Sequence, residues 1–130
     1  MKAIDTSALA KLLLKEEGWE KVLGHLKEGA VSVDLIVKEA ANVVWRRTGG
    51  DIKKAEPMLE ALKELAEKVI RTEDERTHLD EAVRIAFNHN ITVYDALYVA
   101  LAKTLKTPLI TSDLKQAKIA EKLGVHTITV

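Results

Sequence analysis

A chain of 130 residues is long enough to bury one sizeable core, and its 20 Lys/Arg balance 20 Asp/Glu. Zero net charge excludes a protein that coats nucleic acid through bulk electrostatics, though not one with a local basic rim. Cysteine is absent, which removes disulfides, thiolate metal sites and cysteine nucleophiles, so any metal must be held by oxygen or imidazole. Charged residues reach 31%, Lys and Glu dominate and amides are few, a composition of the thermophile kind.

No Pro/Gly/Ser-rich linker, low-complexity run or fixed-period repeat divides the chain, so residues 1–130 are read as a single domain. The opening MKAIDTSALAKLLLKEEG has too short an apolar run and too many charges for a signal peptide, and no stretch approaches the ~20 apolar residues of a membrane span. The expectation is a cytoplasmic protein with no membrane partner.

In chain order, KAID (2–5) is a short strand signal, and Leu9, Leu12 and Leu13 give helical spacing over Ser7 to Lys15. Trp19, Val22, Leu23 and Leu26 mark a second helix before Gly29. AVSV (30–33) reads as a strand, with Asp34 as cap of a helix that runs through Trp45 to Thr48 and stops at Gly49-Gly50. Asp51 caps the next helix, in which Ile52, Ala55, Leu59, Leu62 and Ala66 step by three and four; Pro57 either kinks it or restarts it. KVIR (68–71) is a third strand. Asp74 reads as a cap, and Leu79, Ala82, Val83, Ala86 and Phe87 form an amphipathic helix. A helix runs from about Val93 to Leu105, and its uncharged stretch from Ala96 to Ala102 is apolar all round, which predicts burial. TPLITSD (107–113) is a strand begun by Pro108, Leu114 to Leu123 is a helix stopped by Gly124, and VHTITV (125–130) closes as a strand. Strands separated by helices imply a doubly wound α/β fold with a parallel sheet of about five strands covered on both faces.

In such sheets ligands bind beyond the carboxyl ends of the strands. Four acids fall there: Asp5 ends the first strand, Asp113 ends the fourth, Asp95 lies in the first turn of the buried helix, and Glu39 lies early in the helix after the second strand. Asp5 and Asp113 precede helices and can equally serve as caps. Glu39 sits past the first turn, where capping ends, with Asn42 on its face, and Asp95 is not needed as a cap because Thr92 can serve. Four ionised carboxylates in one pocket repel, and a divalent cation removes the conflict. Oxygen ligands without thiolate or imidazole select Mg²⁺ or Mn²⁺, which polarises a phosphoryl oxygen and acidifies a bound water. The expected reaction is metal-dependent phosphodiester hydrolysis.

The same residues carry a family likeness. IDTSALAKLLLKEEG, VDLIVKEAANVVWR, ITVYDALYVALA and the TSD of LITSD stand in an order and spacing that resembles PIN-domain ribonucleases of the VapC toxin type, over essentially the whole chain. The resemblance implies a PIN-like α/β/α sandwich, with Asp5, Glu39, Asp95 and Asp113 as the acidic Mg²⁺ (or Mn²⁺) set. It matches Ser7 to the small hydroxyl after the first acid, and Thr111 or Ser112 to the hydroxyl that steadies the last; Ser7 can equally cap its helix. It further implies an endoribonuclease that cuts RNA, often transfer RNA, to leave a 5′-phosphate and a 3′-hydroxyl. A homodimer and a cognate antitoxin as inhibitor are also implied. Some relatives carry a further acid just after the last Asp; here Leu114, Lys115 and Gln116 follow, which leaves the number of bound ions open.

Other features weigh less. His25, His78, His89 and His126 share no ligand spacing. Lys115, Lys118 and Lys122 form one helix stripe, and Arg46 and Arg47 end the helix bearing Glu39; they either guide a phosphate backbone or are ordinary surface cations. Trp19 and Trp45 read as core or dimer contacts. A signalling receiver would want an Asp ending the third strand, where KVIR places Arg71, and a haloacid-type phosphatase would want a second Asp where Ser7 stands. The competing class is a non-catalytic PIN-like module that binds RNA or a protein partner.

Overall fold

The computed structural model describes all 130 residues. Five parallel strands, β1 (Lys2–Ile4), β2 (Ala30–Val33), β3 (Ile70–Glu73), β4 (Leu109–Thr111) and β5 (Thr127–Thr129), line up in the order β3-β2-β1-β4-β5. The register joins Lys2 to Ala30 on one side of β1 and Ala3 to Leu109 on the other. The chain works outward from β1 to β3 and then returns to the opposite side of β1. That reversal makes the β1/β4 gap the topological switch point, where open parallel sheets form their ligand crevice. The order also differs from the 2-1-3-4-5 arrangement of receiver domains.

Helices α1 (Thr6–Leu13), α2 (Trp19–His25), α3 (Leu35–Arg47) and α4 (Ile52–Lys68) pack mainly on one another, whereas α5 (Leu79–His89) packs on α6 (Val93–Leu105), and α7 (Leu114–Lys122) follows β4. The two groups flank the sheet as an α/β/α sandwich, as expected. In α6 every residue from Ala96 to Ala102 is buried, and the alanines at 96, 100 and 102 let the helix settle against β1 and β2. Burying a run of this kind contributes about 1.5–3 kcal/mol per large apolar side chain, which anchors whatever the helix carries at its first turn.

Several expectations are corrected by the packing. β3 begins two residues later than KVIR, because Lys68 still belongs to α4 and Val69 donates back to the Leu65 carbonyl; pairing with β2, from Ala30↔Ile70 to Val33↔Glu73, sets the register. Only Ile70 of that edge strand is buried, so it left little apolar signal. Pro57 does not restart a helix: α4 runs through it from Ile52 to Lys68. Asp34 does not cap α3. Its backbone is already helical, and its Oδ1 instead accepts from the Glu75 N–H at 3.1 Å, steadying a short 3₁₀ turn (Glu75–His78) that the sequence did not reveal. Asp51 and Asp74 do cap, accepting from Lys53 and Arg76. The α5 core face is Ala82, Ile85 and Ala86, while Val83 and Phe87 lie at the surface, the stripe being rotated from the one expected. Trp45 is 63% exposed and takes no part in the core.

Candidate active site

Asp5 leaves β1 at the switch point and is the most enclosed of the four acids, 1% exposed. It caps α1 after all, accepting at Oδ1 from the Ala8 N–H (3.0 Å), but the Ser7 hydroxyl donates to the same oxygen (2.7 Å) and the Thr111 hydroxyl to Oδ2. Burial pushes its carboxyl up to about 6, against the opposing pull of these three donors and with a smaller push from the charge of Asp113. Cap and candidate ligand are therefore compatible roles for one side chain.

Asp113 follows β4 and caps α7 through Oδ1, which accepts from the Lys115 and Gln116 N–H groups at 3.0 and 3.1 Å. The hydroxyl of Thr111 reaches the first acid rather than the last: it touches Asp113 only by accepting that residue's backbone N–H, at 3.0 Å. The Ser112 side chain does not reach Asp113 either; its N–H donates to the Ser7 oxygen at 2.9 Å, tying the β4 exit to the start of α1. Ser7, Thr111 and Ser112 thus form one brace around Asp5.

Asp95 is half-buried in the first turn of α6, whose cap is Thr92, its hydroxyl oxygen accepting the Asp95 N–H at 3.1 Å. Burial raises its carboxyl, and the charges of Asp113 and Glu39 add to that, while Thr92 and Lys115 oppose it. Asp113 and Glu39 are thus both within electrostatic reach of Asp95.

Glu39, one turn into α3, is held by two residues that sequence reasoning did not single out. The Tyr98 hydroxyl donates to its Oε1 at 2.6 Å, and the Thr6 hydroxyl lies 2.8 Å from both. Tyr98 is 1% exposed, and burial with the adjoining carboxylate drives its phenol far above the usual range, so it stays a donor. The available signal was the second tyrosine of YDALYVALA: a phenol inside the uncharged, buried run from Ala96 to Ala102 needs a partner. Asn42, exposed and one turn beyond Glu39, makes no hydrogen bond.

Glu39, Asp95, Asn42, Ser7 and Ser112 line a groove of about 430 Å³, with Arg46 and Arg47 at its wall. A more apolar hollow of about 530 Å³ between α1, α2 and α4 contains none of the four acids, so charge rather than size marks the site. None of the four makes an ion pair. No three acidic or histidine side chains stand together as a finished cation cage. The donor set nevertheless fits a hard divalent ion: carboxylates without an ion-paired cation, with Glu39 Oε2 and Asp113 Oδ2 free of protein donors. It fits an ion that takes one or two carboxylates directly and keeps several waters, the habit of Mg²⁺.

A parallel 3-2-1-4-5 sheet is the frame of a known class, and the PIN domain family matches residues 2–122: the chain belongs to the PIN-domain family. It is 33% identical over 119 residues to Ribonuclease VapC3 of Pyrobaculum aerophilum, covering 88% of this chain and 91% of that one. Exonuclease VapC9 of the same organism is 31% identical over 130 residues, covering 98% and 92%. Within the family it is therefore of the VapC type. Two solved structures share the fold. A Pyrobaculum aerophilum protein superposes with a TM-score of 0.71 at 23% identity, over 97% of this chain and 87% of that one. Mycobacterium tuberculosis VapC20, a sarcin-ricin loop cleaving toxin, gives 0.73 at 16%, over 91% and 94%.

Proposed function

We propose that this chain, residues 1–130 acting as one domain, is a Mg²⁺- or Mn²⁺-dependent endoribonuclease, the toxin of a VapBC-type toxin–antitoxin pair. The observation that supports the reading is electrostatic: the charge of Asp113 acts on both Asp5 and Asp95, that of Glu39 acts on Asp95, and none of the four has an ion-pairing cation. The likeness to relatives named ribonuclease and exonuclease supports a nuclease. A divalent ion, when bound, supplies Lewis-acid polarisation of a phosphoryl oxygen and a more acidic water. Asp95 and Glu39, which face the groove, would hold it, with Asp113 close by. Asp5 lies enclosed at the floor; its Oδ1 accepts twice but its Oδ2 accepts only from Thr111, so a lone pair of Oδ2 would remain for the ion. Thr6 and Tyr98 restrain Glu39 through one oxygen and leave the other unengaged. Water adds to phosphorus, the P–O3′ bond breaks, and the products are a 5′-phosphate and a 3′-hydroxyl.

The partners in this reading are an RNA, with transfer RNA as one candidate, a cognate antitoxin and a second copy of the chain, all in the cytoplasm; no helix is long and apolar enough to cross a membrane. The missing three-acid cage favours one competitor, a module of the same fold that binds RNA or protein without cutting. Purified protein incubated with labelled linear and circular forms of a structured RNA, with Mg²⁺, with Mn²⁺ and with EDTA, separates the readings. Metal-dependent cutting of the circle, lost in Asp95→Asn, is expected. Cutting of the linear form alone would make it an exonuclease, and binding without cutting would make it the non-catalytic module.

A further inference from the structure

The wall of the acidic groove has a periodicity of its own. Glu39, Asn42, Val43 and Arg46 fall at i, i+3, i+4 and i+7 of α3, so one stripe of that helix runs from the acidic end of the groove to a basic end, about 10 Å at 1.5 Å per residue. Arg46 makes no ion pair. Arg47, beside it, is engaged differently: its Nη2 donates to Glu16 Oε2 at 2.7 Å, and Glu16 itself lines the groove from the turn after α1. The pair spans two separate elements across the groove, with both side chains substantially exposed at 52% and 40%. An ion pair so exposed is weak and easily exchanged. Its neighbour Glu17 is exposed and pairs with nothing.

We infer that Arg46 and Arg47 form a phosphate-backbone subsite next to the acids, and that Glu16 occupies Arg47 until an RNA phosphate replaces it. A guanidinium presents several N–H donors to two oxygens, and a backbone phosphate matches that fork as carboxylate does, so the exchange conserves both the hydrogen bond and the single negative charge facing Arg47. In a chain of zero net charge, such a local pair supplies the cation that the acidic floor lacks, and holds the strand along α3 while the floor repels bare phosphate. The contact reads no base; it sets position along the strand. The inference rests on the groove being an RNA site, and its test is separable from cleavage.

Binding of a short labelled single-stranded RNA of mixed sequence is measured in an Asp95→Asn background across a salt series, with melting temperatures checking each variant's fold. Arg47→Ala is expected to reduce the magnitude of the log K against log salt slope by about 0.7, and the double change Arg46→Ala with Arg47→Ala by about 1.4. Glu16→Gln is expected to tighten binding by roughly two- to fivefold, more than Glu17→Gln, which removes the same charge without releasing an arginine. That gain should vanish when Arg47 is alanine. Equal effects of the two glutamines, a Glu16→Gln gain that persists without Arg47, or slopes unaltered by losing both arginines each overturn the assignment. Cleavage by the native chain with unaltered slopes would overturn the subsite alone, whereas the expected slopes with no cleavage would overturn only the nuclease.

Discussion

Replacing Asp5 by Asn should stabilise the protein at neutral pH while removing one of the four acids proposed for its site. Asp5 is 1% exposed, and burial lifts its carboxyl from 3.8 to about 6. Between those two values the folded state keeps a proton that the unfolded chain has released, so stability falls as pH rises through the window. The contribution is fully present below about pH 4 and gone above about pH 6. At about 1.4 kcal/mol per pH unit it amounts to about 3 kcal/mol. Asparagine keeps an acceptor for the Ser7 hydroxyl and the Ala8 N–H but turns the second position into a donor. Thr111 can meet it by reversing its hydroxyl, a rearrangement that costs about 1 kcal/mol. The expected net gain near pH 7.5 is about 1–2 kcal/mol, or roughly 4–7 °C in melting temperature for a domain of this size. Near pH 4 the variant should be equal to the native chain or slightly less stable. Urea unfolding of both proteins in EDTA, compared at each pH, isolates the effect, because ion pairs such as Glu81–Lys103 are common to both and cancel. A native-minus-variant difference that stays flat from about pH 4 to about pH 8 would refute the reasoning.

Tyr98→Phe removes a donor to Glu39 without opening a cavity; Thr6 still satisfies the carboxylate, so stability should change by under about 1.5 kcal/mol while RNA cleavage drops about tenfold through kcat. Stability lost with cleavage intact would make the tyrosine purely structural. Added Mg²⁺ should raise the melting temperature of the native chain by a few degrees and that of a Glu39→Gln, Asp95→Asn variant by much less, a comparison readable by calorimetry. If the two chains respond alike, the ion is held elsewhere. Asp34→Ala should destabilise by about 0.5–2 kcal/mol through the Glu75 N–H it accepts, and hydrogen exchange should speed up in the 3₁₀ turn rather than at the start of α3.

Much of this molecule could be read locally. Helix periodicity, glycine stops and caps are short-range properties, so the seven helices and four of the five strands lie close to where the pattern puts them; β3 slipped because an edge strand with one buried residue has almost no pattern. Thr92 was recognisable as the cap of α6, which is why Asp95 stood out as an acid without a local task. Phe87 and Trp45 misled for the converse reason: an apolar residue on a helix signals burial only if something packs on that face, and that depends on distant chain.

Alternating strand and helix signals were enough to place Asp5 and Asp113 at strand ends, Asp95 in a first turn and Glu39 one turn into its helix, because in a parallel sheet those positions lie toward the carboxyl edge. Tertiary structure alone decided the order β3-β2-β1-β4-β5, and with it that the first and fourth strands are neighbours. From that adjacency follows the Thr111 hydroxyl on Asp5, 106 residues away in sequence, and the packing of α6 over β1 and β2 accompanies the Tyr98 hydroxyl on Glu39, 59 residues away. Strand pairing and side-chain hydrogen bonds over such separations leave no periodic trace in the chain, since they are chosen only when the whole core closes and every buried polar group must find its partner.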